Sequence, residues 1–159
     1  MAFSVFEDYN LITYGIIKIK GKNLEDKLQF ASEQIEELIN KHHVNAVILE
    51  DVYYSKNFTS TKSTLQMMGA LKLKSLESGA VVSTVQATKW RKGVIKKSTR
   101  DTMKKQAVDY VNEFYGLDLK HSTNRAKSDD DMAEAIIMVE GLVWKRYTLD
   151  SFIFHEDKG

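Results

Sequence analysis

Two short apolar runs constrain this chain most: VNAVILE at 44–50 and AVVSTV at 80–85. The first is short, apolar and β-branched, as a buried parallel strand reads, and the second reads as the next strand. Glu50-Asp51 ends the first run, where polar groups emerge at the carboxyl end of such a strand. Between the two, a polar stretch from Ser55 to Thr64 passes into a helical pattern carrying Leu65, Met68, Leu71 and Leu76, closed by Ser78-Gly79.

The rest of the chain extends this pattern on both sides. FSVF (3–6) and LITYGIIKI (11–19) flank the polar joint Glu7-Asp8-Tyr9-Asn10, which suits a hairpin turn. Gly21 and Asn23 stop the second run and open an amphipathic helix through Leu24, Leu28, Ala31, Ile35, Leu38 and Ile39 to about Lys41, with Asp26 near its positive start. Met103, Ala107, Tyr110, Val111 and Phe114 mark another helix that stops near Gly116. A last helix is expected over 129–145, with Ala133, Ile136, Ile137 and Leu142 inward. The reading is an α/β protein, a mixed sheet flanked by helices. Its 159 residues, with no repeat and no break in composition, point to a single domain over 1–159. The apolar tail carrying Leu149, Phe152, Ile153 and Phe154 is expected to dock on the body or on a partner.

Composition removes whole classes of chemistry. There is no cysteine, hence no disulfide, thiolate zinc site, iron–sulfur cluster or cysteine nucleophile. Without proline there is no proline-rich linker or PxxP segment. No apolar run reaches the ~18 residues of a membrane helix, and no signal pattern opens the chain, so a soluble cytoplasmic protein is expected. The net charge of +1 conceals strong local clustering.

Acidic residues concentrate at Asp129-Asp130-Asp131 and Glu134. Positions 131 and 134 share a helix face, so their carboxylates can approach one point, and like charges so placed call for a cation. With no cysteine and only His42, His43, His121 and His155, such a cation must be oxygen-ligated, which favours Mg²⁺ or Mn²⁺ over zinc. The competing explanation is structural: acids in a first helical turn favour the macrodipole and cap free N–H groups. Glu50 adds a second acidic position, at the strand end where open α/β sheets place ligands, unless it simply meets water there.

Basic residues gather in KWRKGVIKKSTRDTMKK, with Lys89, Arg91, Lys92, Lys96, Lys97, Arg100, Lys104 and Lys105 against Asp101 alone. Such clustering favours a phosphate backbone, unless it is only a solvated basic loop. Gly93 and the weak periodicity over 92–98 suggest a flexible loop. Trp90 can stack on a base or pack inside. Acidic cation site and basic segment together describe an enzyme that cuts phosphodiesters.

From about Leu11 to Leu142 the chain resembles the RuvC family of Holliday junction resolvases, particularly its small bacteriophage members. The resemblance lies in LITYGIIKIKGKNLEDKL (11–28), VILEDVYYSKN (47–57), GAVVSTVQATKWRKGV (79–94), KKQAVDYV (104–111) and SDDDMAEAI (128–136), in matching order and spacing. It implies an RNase H-like fold with a mixed five-stranded sheet, a homodimer, and Mg²⁺-dependent cutting of four-way junctions and other branched DNA. It implies Mg²⁺ or Mn²⁺ as cofactor, two ions per site.

Residue by residue, Glu50 matches the acid after the fourth strand, and Asp131 and Glu134 match a final pair that is usually Asp-x-x-Asp. Glutamate at 134 keeps the charge but reaches one methylene further. Tyr53 matches an aromatic expected to stack on DNA near the junction centre. Lys104 matches a basic residue near the scissile phosphate, and Arg91 is a candidate for a second. The family opens with a strand ending in Asp, and two readings of FSVFEDYNLITYG stay open. Either this strand and its Asp are missing, or FSVFED replaces it and Asp8 is a metal ligand. The first leaves room for a rival function, a non-catalytic protein that binds branched DNA. A third reading, a protein-interaction module, predicts no salt-dependent DNA affinity.

Overall fold

The computed structural model of the protein describes residues 1–52, 56–92 and 94–141. Tyr53 and the apolar tail lie outside the described residues, as do Gly93 and Leu142. The chain divides into two compact units, one of Met1 with 16–87 and one of 2–15 with 88–159.

The first unit is built on parallel strands β3 (Ala46–Glu50) and β4 (Val81–Val85), in register from Ala46 opposite Val81 to Glu50 opposite Val85. Helices α1 (Leu24–His42) and α2 (Phe58–Glu77) accompany them. Ala31, Ile35, Ile39, Leu71 and Ala80 form the core, with Val47, Leu49 and Met67 packed on it. The parallel pairing agrees with the sequence pattern. Burial of β3 is only partial, however, with Val47, Ile48 and Leu49 half-buried. Asn23 caps α1 as expected, its side-chain oxygen accepting from the Asp26 amide at 2.8 Å, while Asp26 accepts from the Lys22 amide.

Helix α2 begins at Phe58, well inside the stretch read from sequence as a polar connection. Asn57 supplies the cap by accepting from the Ser60 amide. Thr61, Ser63 and Thr64 then donate their hydroxyls to the carbonyls of Asn57, Thr59 and Ser60. Hydroxyl-rich sequence disfavours a helix when the side chains compete with the backbone; here they bond back along it instead. Of the apolar residues that marked this helix, Leu65 and Leu76 are exposed.

The second unit opens with the hairpin β1 (Ala2–Glu7) and β2 (Asn10–Ile16), although the sequence pattern ran to Ile19. Its two turn residues, Asp8 and Tyr9, have φ of 52° and 94°. A two-residue turn of this kind matches the twist of the strands but suits Asn-Gly, so a tyrosine there carries strain. The short helix α3 (Ala87–Trp90) leads into this unit, and α4 (Arg100–Tyr115) follows, ended by Gly116 in the left-handed region. Residues 130–141 are helical and are called α5. Trp90, Ala107, Val108, Val111, Ala133, Ile136 and Ile137 are buried, whereas Phe114 is exposed. Ser4 ties the hairpin to α5 by donating to the Ala135 carbonyl at 2.8 Å.

The architecture is α/β. Among the described residues the strands form two two-stranded sheets, β1–β2 and β3–β4. No helix among them is long and apolar enough to cross a membrane.

Candidate active site

The acidic triplet divides into three environments at the start of α5. Asp129 closes the preceding loop, its carboxylate accepting from the Lys120 amide at 2.8 Å and its own amide donating to the Lys120 carbonyl at 2.7 Å. Asp130 turns inward and is buried. There it accepts from the Lys104 ammonium of α4. Burial pushes its carboxyl pKa up, but hydrogen bonds from Lys104 and Ser128 and the lysine charge outweigh that and hold it below the usual range. Asp131 points out, its side chain half exposed.

One turn on, Glu134 is mostly covered and accepts from Arg91 Nη2 at 3.1 Å. The same Lys104 ammonium stands 3.9 Å from Asp131 Oδ1. The i, i+3 pair expected from sequence is therefore flanked by two cations, Lys104 from α4 and Arg91 from just beyond α3. Arg91 lies 4.8 Å from the Trp90 ring centroid, and its buried Nε has no hydrogen-bond partner among the described residues.

Trp90 is 1% exposed, so it packs inside and offers no face to a base. Lys89, Lys92, Lys96, Lys97, Arg100 and Lys105 are all exposed. Helix α4 starts earlier than the apolar pattern suggested, so Arg100, Lys104 and Lys105 are helical, and Lys105 pairs with Asp109 at 2.6 Å. The segment read as a flexible loop is pinned: Gln106 accepts from the Lys96 amide and donates to its carbonyl, while Ile95 is buried.

Asp8 sits in the exposed turn between β1 and β2, not within a central strand. Glu50, at the end of β3 in the first unit, is exposed rather than desolvated, and the Asp51 amide beside it donates to the Val85 carbonyl at 2.7 Å.

The sequence reading passed over a second polar cluster on the same two helices. Glu140 is buried on α5 and accepts from the hydroxyls of Tyr110 and, at 2.7 Å, Tyr115, both on α4. Its signal was available: position 140 continues the inward stripe of Ala133, Ile136 and Ile137, where a carboxylate requires partners.

Among the described residues no three histidine or acidic side chains are grouped to hold an ion. Asp131 and Glu134 nonetheless fit a hard divalent cation in donor chemistry, since Mg²⁺ is commonly held by one or two carboxylates, with water and substrate phosphate completing its shell.

The sequence profile of the family described as crossover junction endodeoxyribonuclease RuvC matches residues 4–138. This chain belongs to the RuvC family. Among RuvC proteins of that description, it is 32% identical over 69 residues to one from Sulfurovum sp., covering 43% of each chain. It is 31% identical over 107 residues to one from Helicobacter hepaticus, covering 67% of this chain and 57% of the relative. The matched parts thus span about half the length of these two RuvC relatives. The fold agrees with T. thermophilus RuvC solved in complex with a Holliday junction substrate, at a TM-score of 0.67 and 12% identity over 87% of this chain and 80% of that one.

Proposed function

We propose that the chain is a divalent-cation-dependent, structure-selective endonuclease that cleaves Holliday junctions and other branched DNA. Its working form is a homodimer of single RNase H-like domains, each with the mixed five-stranded sheet of the family. The observation that carries this reading is the pairing of Asp131 and Glu134 on one face of α5 with Lys104 and Arg91 against them. A carboxylate pair bordered by cations offers ligands to a metal ion and partners to a phosphate.

The assigned ligands are Glu50, Asp131 and Glu134 for Mg²⁺ or Mn²⁺, two ions per site, with Asp8 as a fourth candidate. When bound, the ions supply activation of the attacking water and stabilisation of the leaving 3′-oxygen. Lys104, held by Asp130, offsets charge that develops on the phosphate in the transition state. Exposed Lys89, Lys92, Lys96, Lys97, Arg100 and Lys105, together with Arg91, grip backbone phosphates, and Tyr53 stacks near the junction centre. A two-fold dimer matches the approximate symmetry of a four-way junction and sets two sites on opposing strands. Selectivity follows junction shape more than base identity. Other branched DNAs are substrates as well, and the site of action is the cytoplasm, that of the host cell if the chain is phage-encoded.

One observation favours the rival reading of a non-catalytic branched-DNA binder: Asp8 occupies a hairpin turn with φ of 52°. A labelled four-way junction incubated with Mg²⁺ separates the two. Paired nicks, lost on Glu50→Gln or Asp131→Asn with binding retained, support the nuclease. Tight binding without nicking supports the rival.

A further inference from the structure

The ion pair between Arg91 and Glu134 assigns the arginine a role beyond gripping DNA. Its Nη2 lies 3.1 Å from Glu134 Oε1, on a carboxylate whose side chain is only 16% exposed. A divalent cation at Glu134 would therefore have to share Oε1 with the guanidinium, displace it, or bind Oε2 with that positive charge on the same carboxylate. Two positive charges on one largely covered carboxylate repel strongly, because little water screens them. The arginine is also incompletely satisfied where it stands, since among the described residues its buried Nε has no hydrogen-bond partner. It rests beside the Trp90 ring at the edge of the exposed basic segment, where a backbone phosphate offers a bidentate alternative.

We propose that Arg91 is a resident counter-cation for Glu134, which holds the carboxylate in place while the protein is free of DNA and weakens its affinity for divalent metal. Phosphate that draws the guanidinium away frees the oxygen, so DNA and metal bind with positive coupling, each tightening the other. The protein thereby limits metal loading away from its substrate. This inference rests on the reading of Asp131 and Glu134 as metal ligands.

The test is Mn²⁺ binding to the DNA-free protein, followed by calorimetry and by the electron paramagnetic resonance signal of free Mn²⁺. Arg91→Gln is expected to bind Mn²⁺ about tenfold more tightly than wild type, as removal of one adjacent charge implies. Arg91→Lys keeps the charge and is expected to stay within about threefold of wild type. Arg125→Gln, which removes a cation elsewhere in the same unit, should change the affinity by less than about twofold. Equal or weaker Mn²⁺ binding by a folded Arg91→Gln overturns the counter-cation role and leaves the nuclease reading standing. Tightening in Arg91→Lys as large as that in Arg91→Gln overturns it too, since charge would not be the cause. Absence of Mn²⁺ binding in every variant and in wild type defeats both this inference and the metal site on which it depends.

Discussion

Lys104 and Asp130 form an ion pair that fastens α4 to the first residue of α5, and the same ammonium stands 3.9 Å from Asp131 Oδ1. The side chain of Asp130 is 5% exposed and that of Lys104 is 18% exposed. The pair thus serves two ends: it neutralises a buried acid, and it aims a cation at the outward carboxylate beside it.

Removing the acid from this pair leaves a covered ammonium without its partner, a change that typically costs about 3 kcal/mol. Asp130→Ala should lower the melting temperature by roughly 10 °C, given a few degrees per kcal/mol for a chain of this size. The pH dependence has a definite sign. The folded-state pKa of Asp130 lies below its usual 3.8, so its contribution is present above that value and fades as pH falls through the folded pKa. Thermal melts across acid pH should show a smaller decline for Asp130→Ala than for wild type. A loss of less than about 3 °C at neutral pH contradicts the assignment.

At the other end of α5, burial first, then hydrogen bonding to Glu140 and its negative charge, push the phenols of Tyr110 and Tyr115 well above the usual 10.0. The folded chain thus keeps both phenols neutral after the unfolded chain has ionised. Their contribution is full below about pH 10 and falls as pH rises beyond it. Melts from pH 8 to 11.5 should fall steeply in wild type. They should fall less in the double variant Tyr110→Phe and Tyr115→Phe, which starts from lower stability because Glu140 loses both donors. Parallel curves for the two proteins rule this out.

The exposed lysines predict how junction affinity responds to salt. Each phosphate neutralised contributes about 0.9 to the slope of log affinity against log salt on duplex DNA. Replacing Lys96 or Lys97 with Gln should weaken binding and reduce the slope by roughly one contact, measured by fluorescence anisotropy across a salt series. An unchanged slope in both variants removes this segment from the interface.

Much of this molecule was legible from residue order. The parallel character of β3 followed from its β-branched apolar run, though its pairing with β4 did not, and α1 followed from its apolar spacing and Asn23 cap. The Asp131 and Glu134 pair followed from helical geometry alone. The early start of α2 did not, because Thr61, Ser63 and Thr64 favour a loop until their hydroxyls find backbone carbonyls four residues back. Nor could spacing show that three consecutive aspartates meet a loop amide, a largely covered lysine and solvent respectively. That division depends on where α4 lies, 26 residues earlier at Lys104. The contact of Arg91 with Glu134 spans 43 residues and was hidden for the same reason.

A crystal structure of the protein bound to a four-way junction in Mn²⁺, measured at the manganese absorption edge, tests the central claim most directly. The account predicts an anomalous peak within about 2.0–2.3 Å of carboxylate oxygens from both Asp131 and Glu134. A peak bound elsewhere, with the carboxylates of Asp131 and Glu134 both beyond coordination distance of it, would contradict it.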